Sequence, residues 1–502
     1  MKKIIALMMC LVLVISVMSG CNKGTENAES VELTVMMSSN EHGGGGDSEV
    51  VQKMIEMMGV NANVISAPQA SYGEKLNVTL ASGNLPDIVY MDEKNVNSWI
   101  DEGALLPLDD LIEKYAPNFK KVFTEDDRKT IVNPQDLRLY GVPYILRLPA
   151  MNTMGIRRDW LEALNLEAPS TIEELETVLT AFKDNAAKLN GGAPVIPMAG
   201  RLSAIYMMYG ISETGDNNSW TLDENGNYIS KYEHPNYRQC LETLQKFYAN
   251  GLIDPEFLTR NNDDNAIYSL FNAGTAGMGY VYSTRLREIT EILRQSNPDA
   301  WFDYMPPVDG IDGQKRIPGR KVLGTLGSIT IAAEGKEKEC MEFLDWGYSE
   351  EGDRLLNYGI EGKTYDMVDG KPVIRDEYNH GWVEIRKVGG VPTNMAYNRN
   401  LDAYNQCMFY GKDIADLDEF EKLTYKAYYE NEPFIVKPIR AFSTETSLSK
   451  GTDIYAFLAE KEAKVIVGKL SVDEFFEELK TAKANGLDAM TAEMQEYWKT
   501  VK

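Results

Sequence analysis

At 502 residues the chain is longer than one hydrophobic core usually serves, about 250–300 residues, so two lobes are expected. Its 51 Lys+Arg against 76 Asp+Glu give a formal net charge of −25, which excludes the basic footprint that nucleic acid or an anionic membrane surface demands. The hydrophobic and charged fractions, 43% and 25%, are those of a globular chain; 27 Tyr and 7 Trp stand beside three histidines, His42, His234 and His380.

Lys2 and Lys3 precede an apolar run from Ile4 to Val17, followed by Met18-Ser19-Gly20-Cys21. A basic start, a short apolar stretch and small residues before a break make a secretory signal, and the run is shorter than the roughly 20 residues of a membrane span. Residues 22–30 are small and polar, as a flexible tether is. Cys240, Cys340 and Cys407 are scattered and show no metal-ligand spacing, so buried free thiols are expected.

Val31, Leu33, Val35 and Met37 alternate as a first strand, and Asp47 is expected to cap a helix carrying Val51, Met54, Ile55 and Met58, ended by Gly59. A second strand over 60–66, a helix over 72–82 closed by Gly83, and a third strand over 85–91 follow. Helices over 95–102 and 109–115 complete a β-α-β-α-β-α order, which predicts a parallel sheet covered on both faces. Residues 140–144 read as the crossover out of this first lobe. Beyond it, a helix over 158–164, capping boxes at Thr171/Glu174 and Ser471/Glu474, and hairpins around Asn225-Gly226 and Asp369-Gly370 are predicted. Helices are also expected over 337–348 and, less regularly, over 402–430.

Several blocks now carry a family resemblance. They are Leu80-Ala81-Ser82-Gly83-Asn84-Leu85-Pro86-Asp87-Ile88, Arg157-Arg158-Asp159-Trp160-Leu161, residues 249–257 (Ala-Asn-Gly-Leu-Ile-Asp-Pro-Glu-Phe), residues 271–278 (Phe-Asn-Ala-Gly-Thr-Ala-Gly-Met) and residues 358–365 (Tyr-Gly-Ile-Glu-Gly-Lys-Thr-Tyr). In this order, behind a segment ending in Cys21 that resembles a bacterial lipobox, they resemble the family 1 extracellular solute-binding proteins of sugar ABC importers, LplA-like subgroup. Met18 departs from the usual Leu of the lipobox, residues 43–46 depart from the family's usual first loop, and residues from about 390 onward carry no matching block.

The resemblance implies an α/β, two-lobed fold of the periplasmic-binding-protein type II kind, with ligand in the cleft between lobes. It implies a signal peptide over 1–20, a tether over 21–30, and a first lobe built from 31–142 and 322–375. The second lobe is then 143–321 and 376–502, with a hinge at Gly141 and Pro143. It also implies a lipid on Cys21 at the extracellular face of the membrane, a carbohydrate ligand, an ABC permease as partner, a monomeric chain, and neither cofactor nor metal.

Ligands of open α/β sheets sit beyond the carboxyl ends of strands. Asn40, Glu41, Tyr72 and Asp92 follow the first three strands. In the second lobe Arg201, Tyr206, Trp220, Tyr280, Tyr282 and Arg285 fall at loop or strand ends, joined by Glu361, Tyr365 and Trp382 near the crossing. Sugars suit such a set, since a ring face lies on an aromatic while hydroxyls take carboxylate, amide or guanidinium partners. Asp223-Glu224-Asn225-Gly226 superficially resembles a calcium loop, but Thr221 and Tyr232 stand where its first and last carboxylates belong, so a hairpin is expected. The competing class is a secreted carbohydrate-active enzyme; the chain lacks a Gly-x-Ser-x-Gly elbow and a His-Glu-x-x-His pair. A receptor for peptides or another non-sugar solute is the third reading.

Overall fold

The first strand, β1 (Glu32–Ser39), buries Leu33, Val35 and Met37 on one face and Met36 on the other, so both faces of its sheet are covered. The computed structural model describes residues 31–39, 45–133, 135–147, 152–212, 219–260, 263–318, 323–378, 395, 397–409, 412–436 and 444–501. The helix Glu49–Met58 follows, capped by the Ser48 side chain rather than by Asp47; Gly59 ends it in the left-handed region at φ 63°. Then come β2 (Asn61–Pro68), the helix Gln69–Ser82, β3 (Ile88–Met91), the helices Glu93–Asp101 and Asp109–Tyr115, and β4 (Val142–Ile145).

The chain next forms β5 (Asn152–Arg157), β6 (Ile196–Ala199), a hairpin of β7 (Trp220–Leu222) and β8 (Tyr228–Ser230), β9 (Ala276–Tyr282), β10 (Phe302–Met305) and β11 (Ile317–Pro318). It then returns through β12 (Leu323–Ile329), the helices Glu337–Trp346 and Glu350–Tyr358, and a second hairpin of β13 (Tyr365–Val368) and β14 (Lys371–Ile374). Asp369 and Gly370 turn that hairpin with φ of 49° and 78°, the positive values a two-residue turn requires. The helix Leu401–Phe409, the helix Glu419–Tyr429, the short β15 (Ile435–Val436) and three closing helices, Thr452–Ile466, Val472–Ala482 and Asp488–Val501, complete it.

Among the described residues the two larger sheets are separate, beside the two hairpins and the short pair of β11 with β15. The first has the order β2-β1-β3-β12-β4, with β12 antiparallel to both neighbours; the second has the order β10-β5-β9-β6, with β6 parallel to β9. Asp87 explains why the Leu-Pro-Asp-Ile block sits where it does. Its buried carboxylate accepts from the Thr34 amide (2.7 Å) and hydroxyl (2.8 Å) and from Lys336 Nζ (2.6 Å), tying β1, the approach to β3 and the helix Glu337–Trp346 together.

Of the two residues expected at the hinge, Pro143 lies in β4 and pairs with Leu326, and Gly141 directly precedes that strand, where an added Cβ would come within 2.8 Å of Leu326 Cβ. Ile145 is further flanked by residues 397–399, its amide donating to Tyr397 O at 2.9 Å and its carbonyl accepting from the Arg399 amide at 2.8 Å. The chain therefore leaves the first lobe after β4.

The C-terminal boundary also differs from that expected at 376. Tyr358 donates to Asp402 Oδ2 (2.8 Å), and Gln406 Oε1 accepts from the Ile374 amide (2.9 Å), holding the helix Leu401–Phe409 on the first lobe. The helix Glu419–Tyr429 joins the second lobe, where Asn431 Nδ2 donates to Thr153 Oγ1 at 3.0 Å. The last helix touches both lobes: the Tyr497 hydroxyl donates to Val132 O (3.2 Å) and Trp498 Nε1 to Gly226 O (2.9 Å).

Candidate functional site

Strand directions place the site. β1, β2, β3 and β4 run the same way, so their carboxyl ends share one edge of the first sheet, and β12 begins at that edge. In the second sheet the carboxyl ends of β6 and β9 share an edge with the start of β5, where Asn152 pairs with Tyr282. Six residues of sequence separate the end of β4, at one edge, from the start of β5, at the other, and four separate β11 from β12. Ligands of open α/β sheets sit beyond such edges.

On the second-lobe edge four expected residues come together. Tyr282, 37% exposed at the end of β9, stacks on Tyr268 with ring centroids 6.4 Å apart and planes 28° from parallel. The Tyr282 amide donates to the Tyr268 hydroxyl at 2.9 Å, and the Arg285 guanidinium lies 5.0 Å from the Tyr268 ring centre while pairing with Glu288. Arg201 Nη2 sits 2.8 Å from Asp264 Oδ1. Tyr280, half-buried, donates to Pro318 O at 3.2 Å; burial, opposed by a hydrogen bond from the Asn152 side chain and by the Arg201 charge, raises its hydroxyl above the usual range. Burial likewise raises the Tyr268 hydroxyl above the usual range.

Tyr268 and Asp264 were missed in the sequence. The signal was present: Asp263 caps the helix Asp264–Asn272, and Asp264 and Tyr268 are four apart on one of its faces, at the end nearest the carboxyl terminus of β9.

Other expected residues lie elsewhere. Tyr72 is a core residue whose hydroxyl donates to Tyr90 O (2.6 Å) and Met36 O (3.2 Å), fastening its helix to the sheet. Tyr206 is buried, and its hydroxyl donates to Glu462 Oε1. Trp220 is fully buried, its Nε1 donating to the Tyr455 hydroxyl at 2.9 Å and its ring stacked on Tyr228 at 5.4 Å. These last two were expected at loop ends; the C-terminal helices cover them. Tyr365 is buried against Tyr358, with centroids 5.8 Å apart.

Asp92 stands at the first-lobe edge, exposed, and caps the helix Glu93–Asp101 by accepting from the Asn95 amide and side chain, both at 2.8 Å. Glu361 is exposed, and Lys363 pairs with Glu49 rather than with it. Asn40, Glu41, Trp382 and Cys21 lie outside the described residues. At the end of the glycine run, Gly46 packs on β2: its amide donates to the Ser66 hydroxyl, and a Cβ there would meet Val64 O at 2.4 Å.

Asp223 turns the β7–β8 hairpin. Its Oδ1 accepts from the Asn225 (2.9 Å) and Asn227 (2.8 Å) amides and its Oδ2 from Asn227 Nδ2 (2.9 Å). Among the described residues no group of three His, Cys, Asp or Glu side chains is placed to hold a metal ion. Cys240 and Cys340 are buried and form no disulfide among the described residues, and burial pushes the Cys340 thiol up to about 12.

The sequence model of the bacterial extracellular solute-binding proteins matches residues 55–354. The polygalacturonan/rhamnogalacturonan-binding protein YtcQ of Bacillus subtilis is 24% identical, over 97% of this chain and 96% of its own. The fructooligosaccharide ABC transporter substrate-binding protein FusA of Streptococcus pneumoniae is also 24% identical, over 89% of this chain and 86% of its own. In three dimensions the chain is similar to the alginate-binding protein AlgQ2, solved without calcium ion, with a TM-score of 0.73 at 22% identity over 93% of this chain and 98% of that one.

Proposed function

The chain belongs to the bacterial extracellular solute-binding proteins, and from that premise we propose that it captures an oligosaccharide between its two lobes and delivers it to the membrane permease of an ABC importer. The observation that carries the reading is the edge of the second sheet at which β6 and β9 end, bearing Arg201, Asp264, Tyr268, Tyr280, Tyr282 and Arg285. Aromatic faces beside paired donors and acceptors suit a ring with many hydroxyls. Relatives named for polygalacturonan and fructooligosaccharide binding support a carbohydrate. The role is capture and delivery, without chemistry on the solute.

Solute rests first on one lobe, and the other closes over it about the passages joining the sheets. The ligand shifts that equilibrium only by its differential affinity for the closed form. We further propose that the chain works as a monomer, held at the outer face of the membrane by lipid on Cys21. The basic Lys2-Lys3 start, the apolar run and the small residues before Cys21 support this.

A thermal-shift screen of oligosaccharides and peptides tests the ligand class, since a ligand that binds only the folded chain raises its melting temperature. An oligosaccharide is expected to do so; a response to peptides alone overturns the reading. Replacing Cys21 with Ala should release the protein into the medium, whereas continued membrane attachment contradicts the anchor.

A further inference from the structure

We infer that the second-lobe edge takes an uncharged saccharide rather than a uronate, with one sugar ring laid on Tyr282. The inference rests on the reading of the cleft as a saccharide site and narrows it. Polygalacturonan is acidic and fructooligosaccharides are neutral, so the relatives do not choose between the two classes.

The local charge does. The two guanidiniums at this edge are each matched by a carboxylate of the same lobe, Arg201 by Asp264 and Arg285 by Glu288. A uronate arriving here meets two carboxylates at the same range as two guanidiniums, and gains little net attraction. It also approaches a chain of formal net charge −25, whose field slows the association of polyanions.

The same pairs suit hydroxyls. Arg201 and Asp264 are 43% and 40% exposed in their side chains, and Arg285 and Glu288 are 40% and 46% exposed. Each guanidinium has five N–H donors and each carboxylate about four lone-pair sites, so most remain open to solvent after pairing. A donor and an acceptor held side by side match adjacent sugar hydroxyls, which donate to the carboxylate and accept from the guanidinium.

The same edge carries the platform. Tyr282 is backed by Tyr268, which stacks on its ring and accepts its amide hydrogen, and the residue stays 37% exposed. The C–H face of an uncharged pyranose or furanose ring fits such a surface. Tyr268 is a positioning residue here, acting through Tyr282.

The test is calorimetric titration of the purified protein, and of Tyr282→Ala, with oligosaccharides from fructan, starch and xylan hydrolysates, alongside oligogalacturonates and oligoalginates. A neutral oligosaccharide is expected to bind, with Kd changing less than about twofold from low salt to about 0.5 M NaCl, and at least tenfold more weakly to Tyr282→Ala. Binding of oligouronates alone, weakening as salt rises, overturns this inference and leaves the saccharide receptor standing. An unchanged neutral-sugar affinity in Tyr282→Ala overturns the platform. Binding of neither saccharide class overturns both this inference and the reading it rests on.

Discussion

The Tyr237 hydroxyl donates a 2.7 Å hydrogen bond to Glu462 Oε1, across 225 residues of sequence and entirely within the interior. Tyr206 donates to the same oxygen, and Lys231 Nζ lies 3.4 Å from the carboxylate with only 5% of its side chain exposed. One buried carboxylate thereby helps fasten the helix Thr452–Ile466 to the second lobe. Removing it takes a carboxylate partner from the buried Lys231 charge and an acceptor from two tyrosine hydroxyls. Glu462→Ala should cost about 3–5 kcal/mol, and combining Lys231→Met with Glu462→Leu should cost less than the single change. Chemical denaturation of the three proteins checks this; a single variant as stable as the parent contradicts it.

His234 gives the fold a pH dependence of known sign. It is buried, its Nδ1 accepts from the Asn236 amide at 3.2 Å, and burial, opposed by Asp223 and reinforced by Arg316, lowers its pKa below the ordinary value. Between that lowered value and about 6.5 the unfolded chain binds more protons than the folded one, so stability rises with pH across the window. The stabilisation is present above about 6.5 and is lost as the pH falls through the window. The drop in melting temperature from neutral to mildly acidic pH should be smaller in His234→Asn. An equal drop in both proteins contradicts the assignment.

Gly141 separates packing from hinge motion. A methyl group there runs into Leu326 and lies 3.2 Å from Ser328 Oγ, so Gly141→Ala should destabilise the first lobe by about 1–3 kcal/mol. Its saccharide affinity, measured below the melting temperature, should match the parent's. Unchanged stability with altered affinity points back to a hinge at this position.

Trp220 and Tyr282 should behave as opposites. Trp220→Ala empties a fully buried site and removes the indole donor to the Tyr455 hydroxyl, at about 3–5 kcal/mol. Tyr282, exposed at a strand end, should tolerate replacement by Ala with little change in melting temperature and lose saccharide affinity instead. Melting curves and titrations on both variants distinguish the roles; the reverse pattern contradicts them.

Most of the fold was legible because its signals are local. Gly83 at φ 69°, the Ser471/Glu474 capping box, the Asp369-Gly370 turn and the alternation in β1 each act within a few residues. What escaped depends on distant partners. Pro143 is a strand residue only because β12 returns beside it 180 residues later, and Tyr206 and Trp220 are core only because the last helices cover them. On the second-lobe edge the sequence pointed to Arg201, Tyr280, Tyr282 and Arg285 by position after strands. It missed Tyr268, whose part lies in a hydrogen bond and a stack with a residue fourteen positions away.

The central claim, capture of an oligosaccharide without chemistry, is met most directly by calorimetric titration followed by recovery of the sugar. The account predicts saturation at one oligosaccharide per chain and a recovered sugar of unchanged length. A shortened sugar, or saturation by peptides with none by any saccharide, contradicts it.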